Sequence, residues 1–379
     1  MPTELSYWEK ESFFCNYDTI VIGSGIVGLN AAIRLKKTAP SLKIAILERG
    51  FLPTGASTKN AGFACFGSIS ELIEQEEMIG TDRLVALIEK RWKGLLKLRN
   101  LLSDNAIDYQ RLGGYELFKN EDNFLAETGV SKIEHFNRLV NDVVGSNAFV
   151  LNNKKIRFFG FEGVSTLIEN HYEAQIDSGK MMFALIQYAQ QLGISIFNNC
   201  TVDRIKEESK GSSLITKNGN FFCKRLIVTT NAFIKDLYPG IDINPGRGQV
   251  LITKVIKDLK VAGTFHYDKG YYYFRNINGR ILLGGGRNID FRNEETTKFG
   301  QTEPVQLALE DLLKNVILPK TPFEIDYRWS GIMAFGKVQE PFIEEIRPNV
   351  FCATRCNGMG VAIGSQTGED VANLLLNKL

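Results

Sequence analysis

The residues best placed by type and spacing to do chemistry form a glycine loop, Gly23-Ser24-Gly25-Ile26-Val27-Gly28, between the β-branched run 19–22 and the apolar stretch 29–35. The first glycine permits a tight turn, the second lets backbone approach a pyrophosphate, and the third lets helix pack on strand. The N–H groups and positive dipole end of the following helix face the phosphates. Glu48 stands 20 residues after Gly28, at the end of a second apolar run (43–47), where a carboxylate can accept hydrogen bonds from ribose hydroxyls. That acid favours an unphosphorylated ribose, although the adjacent Arg49 leaves room for a 2′-phosphate. Strand, loop, helix, strand and acid in this register predict dinucleotide binding, without choosing between NAD and FAD.

Other chemistries start poorly. The three histidines (His135, His171, His266) show no metal-ligand spacing with one another, with cysteine or with carboxylates, so no metal site and no histidine-based triad is expected. Six cysteines are spread without a C-x-x-C pair, which reads as reduced thiols in a cytoplasmic protein. A net charge of +2, from 45 Lys+Arg against 43 Asp+Glu, argues against a nucleic-acid partner. No apolar run approaches the ~20 residues of a membrane span, and residues 1–18 lack the build of a secretory signal.

These side chains need elements to hold them. With 379 residues, at roughly 150 per domain, two domains are expected. Residues 19–48 read as a βαβ unit with a right-handed crossover. Helical spacing runs through 81–102 and 179–192, and buried strands are expected at 194–197 and 225–229. Stretches 114–118, 156–161, 248–253, 270–275 and 280–284 read as strands of a more antiparallel region, with 276–279 as a hairpin turn. A strand at 350–354 and a closing helix that includes 368–376 end the chain. The fold class predicted is α/β, a Rossmann-like nucleotide-binding domain interleaved with an antiparallel-sheet α+β domain. The discontinuous first domain takes 1–80, 165–240 and 325–379, and the second takes 81–164 and 241–324.

Beyond the glycine loop, residues 53–62 form a small-residue loop rich in hydroxyls and backbone donors. With it the chain resembles the D-amino-acid oxidase-like superfamily of FAD-dependent oxidoreductases, which includes glycine, sarcosine and γ-glutamylputrescine oxidases. Residues 17–28 look like that family's opening strand and phosphate loop. Gly55-Ala56-Ser57-Thr58-Lys59-Asn60-Ala61-Gly62 is similar to its GAS-x-RN-x-G loop beside pyrophosphate and flavin, with Lys59 where arginine is common. Residues 174–180 resemble the lead into its crossover helix, and 246–249 its RGQ segment. The resemblance implies that Val202 lies near the adenine, and that Thr230 and Asn231 sit in a turn at the cofactor. Asn357-Gly358-Met359-Gly360-Val361 resembles the closing GHGV-type motif, whose N–H groups face the flavin pyrimidine ring. Gly331 completes the implied contacts to FAD, which is expected to be non-covalent because neither Cys352 nor Cys356 matches the family's covalent position.

The resemblance also bears on substrate. In the run 271–274, strand alternation puts Tyr271 and Tyr273 on one face and Tyr272 on the other. Counting back from the turn at Gly279, Tyr272 matches the family's active-site tyrosine. Arg287, after Gly284-Gly285-Gly286, offers a cation for an anionic group of the substrate or else for a surface ion pair. The family's W-x-G-x-R stretch, whose arginine clamps a carboxylate, reads Trp329-Ser330-Gly331-Ile332-Met333 here. Its loss favours an amine, an N-alkyl amine or a differently anchored acid. The oxygen-activating lysine of sarcosine oxidases aligns with Leu282, so O2 or another electron acceptor stays open. The implied activity is hydride transfer from a carbon bearing nitrogen to FAD, giving an imine that hydrolyses. A flavin-dependent 2-hydroxy-acid dehydrogenase and a nicotinamide-dependent Rossmann enzyme are the rivals.

Overall fold

In the computed structural model, which describes residues 4–378, two eight-stranded sheets and a two-stranded ribbon organise the chain. Tyr17–Ile22 lies inside the first sheet, parallel to Ile44–Leu47 on one side and to Gly219–Val228 on the other. Ile20, Val21 and Ile46 are fully buried, as strands covered on both faces must be. The parallel order continues through Ser195–Phe197 beside Ile44–Leu47 and Val350–Thr354 beside Gly219–Val228. Val202–Glu208 and Gly211–Thr216 add an antiparallel meander, and Phe342–Arg347 closes the far edge. The carboxyl ends of these five parallel strands therefore point one way, which is where a crevice opens in such sheets.

Two helices carry their N-termini to that crevice. Ile26–Thr38 follows the glycine loop directly, and Gly360–Leu376 packs against it. Gly368 permits the contact, since a Cβ there would lie 2.5 Å from the Val27 carbonyl oxygen.

The second sheet runs from Ile325–Phe335 through Asn244–Thr253, Arg280–Gly285, Tyr272–Ile277, Thr264–Tyr267, Gly114–Lys119 and Val164–Asn170 to Phe149–Leu151. It is antiparallel apart from the pairing of Thr264–Tyr267 with Gly114–Lys119. Its tight hairpin turns at Asn278-Gly279, both at positive φ (48° and 71°), the signature of a two-residue type I′ turn. Helix Glu303–Leu312 covers one face through Val305 and Leu309.

One expected strand is a helix. Residues 154–159 form one short helix, with Phe159 buried and Phe158 exposed, that Gly160 ends in the left-handed region (φ 83°). Across the division expected between domains, Val164–Asn170 pairs with Gly114–Lys119 and Ile325–Phe335 with Asn244–Thr253 in the second sheet, and Thr81–Leu102 packs on the closing helix. Among the described residues no helix is long and apolar enough to cross a membrane.

Candidate active site

A cavity of about 640 Å³ opens at the carboxyl edge of the first sheet and continues beneath the second. At its inner end stands the glycine loop. Gly23 turns at φ 101°, and a Cβ on Gly28 would sit 2.1 Å from the Gly23 carbonyl oxygen and 2.6 Å from Thr229 Oγ1. Gly28 is thus a packing position one turn into the helix, behind the cavity wall formed by Gly23, Gly25, Ile26 and Val27. Ser24 also lies behind the wall, contrary to its expected contact with the cofactor. It is fully buried, and its N–H and Oγ both donate to Glu48 Oε2 (3.1 and 2.8 Å). Glu48 Oε1 accepts from Gly50 N (2.9 Å), so loop and acid form one unit at the cavity wall. Arg49 stacks on Phe233 at 3.7 Å.

The second loop is tied to the first. Ser57 Oγ accepts from Ile26 N at 3.0 Å. Asn60 is its staple: Nδ2 donates to the Ala56 and Ser57 carbonyls, and Oδ1 accepts from Gly62 N and Ser178 Oγ. Sequence reasoning misses the residue that holds the end of this loop. Arg275, buried in the strand Tyr272–Ile277, donates through Nη1 to the carbonyls of Ala61, Gly62 and Ile176 (3.1, 3.2 and 2.6 Å). Burial pulls its pKa down to about 10. A cation inside an otherwise apolar strand is the signal that could have found it. Lys59 contributes its carbonyl to Trp329 Nε1 (3.0 Å), which docks the loop on Gly331.

Val202, Thr230, Asn231, Gly331 and residues 357–361 all line the same cavity, as do Gly55, Ala56, Ser57, Lys59, Asn60, Ala61 and Gly62. The closing loop is shaped by Asn357 (φ 47°) and Gly358 (φ 83°), with Asn357 Nδ2 donating to the Gln339 carbonyl at 2.8 Å. It delivers the N-terminus of Gly360–Leu376, whose cap has no side-chain bond.

The residues present fit an extended dinucleotide. Thr230 Oγ1 and Thr354 Oγ1 are buried in the wall without a partner, and two helix N-termini aim free donors into the space. Cys356 lines the cavity and Cys352 is fully buried; burial pushes their thiols up to about 11 and about 12, which disfavours the thiolate.

Under the second sheet the expected tyrosine is on the wrong face. Tyr271 and Tyr273 line the cavity, whereas Tyr272 turns to the opposite face, against Tyr267 (5.6 Å between rings) and the core around Val305. Helix Glu303–Leu312 covers that face, a packing that counting from the turn cannot reveal. Tyr273 lies over Gly284, where a Cβ would meet its ring at 2.6 Å, and burial pushes its phenol up to about 12. Arg287 does reach the cavity, its guanidinium 3.9 Å from the Phe335 ring centre and 5.1 Å from that of Phe291. Among the described residues no carboxylate lies within ion-pair distance of it, and burial lowers its pKa. Met333, in the place of the family arginine, lines the same wall.

The spacing of the histidines also concealed a cluster. His266 Nε2 lies 2.5 Å from Glu173 Oε1, and these two converge with Cys65 so that their ligand-type atoms fall within 4.8 Å of one another. A thiol held protonated by burial, then by Glu173 and Glu71, is a poor metal ligand.

Fold and cavity together define an enzyme that works through a bound dinucleotide. A family model described as FAD dependent oxidoreductase (DAO) matches residues 18–374, and the chain belongs to that family of FAD-dependent oxidoreductases. Among its relatives, the glycine oxidase of Bacillus subtilis (strain 168) is 21% identical over 370 residues, covering 96% of this chain and 94% of the relative. The gamma-glutamylputrescine oxidoreductase of Escherichia coli (strain K12) is 24% identical over 381 residues, covering 97% and 84%. Among solved structures, glycine oxidase from Geobacillus kaustophilus superposes with a TM-score of 0.74 at 18% identity, over 96% of this chain and 95% of that one. L-proline dehydrogenase from P. horikoshii reaches 0.75 at 18%, over 96% and 94%.

Proposed function

We propose that the protein oxidises an amine or amino acid at a carbon bearing nitrogen, and that Arg287 holds an anionic group of the substrate. The observation that carries this reading is the half-buried guanidinium on the cavity wall with no carboxylate of the described residues within ion-pair distance. An unpaired charge partly out of water is unfavourable, and a substrate carboxylate would supply the missing partner in the bidentate geometry arginine favours. Arg287 thus stands in for the family arginine replaced by Met333. FAD, when bound, supplies a hydride acceptor at N5, and the imine product hydrolyses in water.

The chain's own residues arrange the rest. Glu48 would accept from ribose hydroxyls, the N-termini at Ile26 and Gly360 would face the phosphates and the flavin pyrimidine ring, and the latter dipole would stabilise negative charge there. Tyr271 and Tyr273 would wall the substrate against Phe63 and exclude water. The first sheet with its helices forms the FAD-binding part and the second sheet the substrate cover. Six free cysteines support a cytoplasmic location, and reoxidation falls to O2 or another acceptor. The test is product analysis: FAD-loaded protein given amines should release carbonyl compound and the nitrogen fragment in equal amounts. Carbonyl formed from hydroxy acids instead, with amines inert, would overturn the reading.

A further inference from the structure

His266 divides the substrate cavity from a second, water-sized pocket of about 10 Å³ lined by Glu116, Glu173 and Asn170. It stands directly across the strands from Glu116 on one side and Tyr273 on the other. Its Nε2 is engaged by Glu173, which also accepts from Thr264 Oγ1 at 2.9 Å, while Nδ1 lies 3.7 Å from Glu71 Oε2 on the cavity wall. Asn170 is 3% exposed and its Nδ2 has no partner, and the inner pocket is large enough for the single water that would satisfy it. Cys65 and Phe63 from the ribbon and Arg91 behind Glu71 complete the surroundings.

We propose that Glu71, backed by His266, Glu173 and Glu116, is the proton acceptor that converts an incoming ammonium into the free amine that can be oxidised. This rests on the reading of an amine substrate. The step breaks one N–H bond of the ammonium and forms one O–H bond on a Glu71 oxygen; the electron pair stays on nitrogen, and no oxidant takes part. Glu71, His266 and Glu173 stand in sequence from the cavity wall inward, with Glu116 across the strand from His266, so a proton taken up at Glu71 has a path inward. Burial, against the hydrogen bonds from Ser70, raises Glu116 to about 7, which gives the group a proton site that empties near neutrality.

The test uses FAD-loaded protein mixed anaerobically with N-methylglycine, D-alanine and putrescine across the pH range, carrying forward whichever bleaches the flavin fastest. Glu71→Gln keeps an oxygen for the Ser68 N–H it now accepts, and Glu116→Gln keeps one for Ser70 N. At about pH 7 Glu71→Gln should slow bleaching about a hundredfold, the gap closing as the pH approaches that of the free amine, near 10. Phenol red should report proton release on mixing in Glu71→Gln but not in the wild type, and Glu116→Gln should shift the acid limb of the profile. Bleaching with an unchanged pH profile and unchanged proton release in both variants would overturn the proposal while leaving amine oxidation intact. No bleaching by any of the three amines would remove both.

Discussion

The guanidinium of Arg287 lies 3.9 Å from the ring centre of Phe335. The ring supplies cation–π attraction of about 1 kcal/mol at such a half-buried site, which positions the cation but leaves its hydrogen-bond donors free for a ligand. Arg287→Met should therefore leave the fold and FAD binding intact and weaken binding of small carboxylates about a hundredfold, read by calorimetry or by the perturbed flavin spectrum. Arg287→Lys should recover only part of that loss, because the bidentate fork is gone. Equal carboxylate affinity in wild type and Arg287→Met would remove the anchor role.

Tyr273 and Tyr272 make a paired test because they are neighbours on opposite faces. Tyr273→Phe should slow anaerobic flavin reduction at unchanged melting temperature. Tyr272→Ala should leave the reduction rate near wild type and lower stability by about 2 kcal/mol, below the range for a fully buried aromatic because Tyr272 is half-buried. A slow Tyr272→Ala enzyme with normal stability would reverse the assignment.

Glu48 bonds both loop and turn, so Glu48→Ala should weaken FAD at least about tenfold, as loss of a charged hydrogen-bond acceptor does. Gly28→Ala should do so more severely, since its Cβ has nowhere to go within 2.1 Å of the Gly23 carbonyl. Equilibrium dialysis against FAD checks both, and normal affinity in either variant would contradict the part that residue plays in holding the cofactor.

Arg275→Met removes the donor shared by three carbonyls. It should destabilise the chain by about 3 kcal/mol, the scale of orphaned buried acceptors, and loosen FAD in parallel. Urea unfolding with and without FAD separates the two effects; a stable variant with normal FAD affinity would show that the loop holds itself.

The His266 cluster couples stability to pH. Burial alone would lower the imidazole, but the charge and hydrogen bond of Glu173, then Glu71 and Glu116, raise it from 6.5 to about 9. A raised histidine binds more protons folded than unfolded, so its stabilisation is complete below about pH 6.5 and is lost as pH rises through about 9. Glu116, raised from 4.5 to about 7, acts in the same direction over a lower range. Melting temperature should fall across this interval, and His266→Gln should flatten the fall above about pH 7. A flat wild-type profile would contradict the assignment.

Local chemistry was legible in the sequence and long-range convergence was not. The glycine loop, Glu48 and the loop 55–62 declare themselves because turn, helix start and strand end lie within a few dozen residues. The Asn278-Gly279 turn is equally local. The face of Tyr272 was not legible, because alternation separates two faces without saying which one a helix covers, and both are apolar enough to be buried. Ser24 failed for a related reason: its hydroxyl found the Glu48 carboxylate inside the fold before it could meet a ligand. Cys65, Glu173 and His266 are brought together only when the ribbon, a turn and the second sheet meet, so no spacing rule could reveal them. Arg275 needed the carbonyls of two other segments to explain it.

The most direct measurement is anaerobic bleaching of FAD-loaded protein by a panel of primary amines, N-methyl amino acids and D-amino acids, set against 2-hydroxy acids under the same conditions. The expected result is rapid bleaching by at least one nitrogen compound, strongest for one that carries a carboxylate, with hydroxy acids inert. Bleaching by hydroxy acids alone, or a purified protein that takes up no FAD, would contradict FAD-dependent amine oxidation by this cavity.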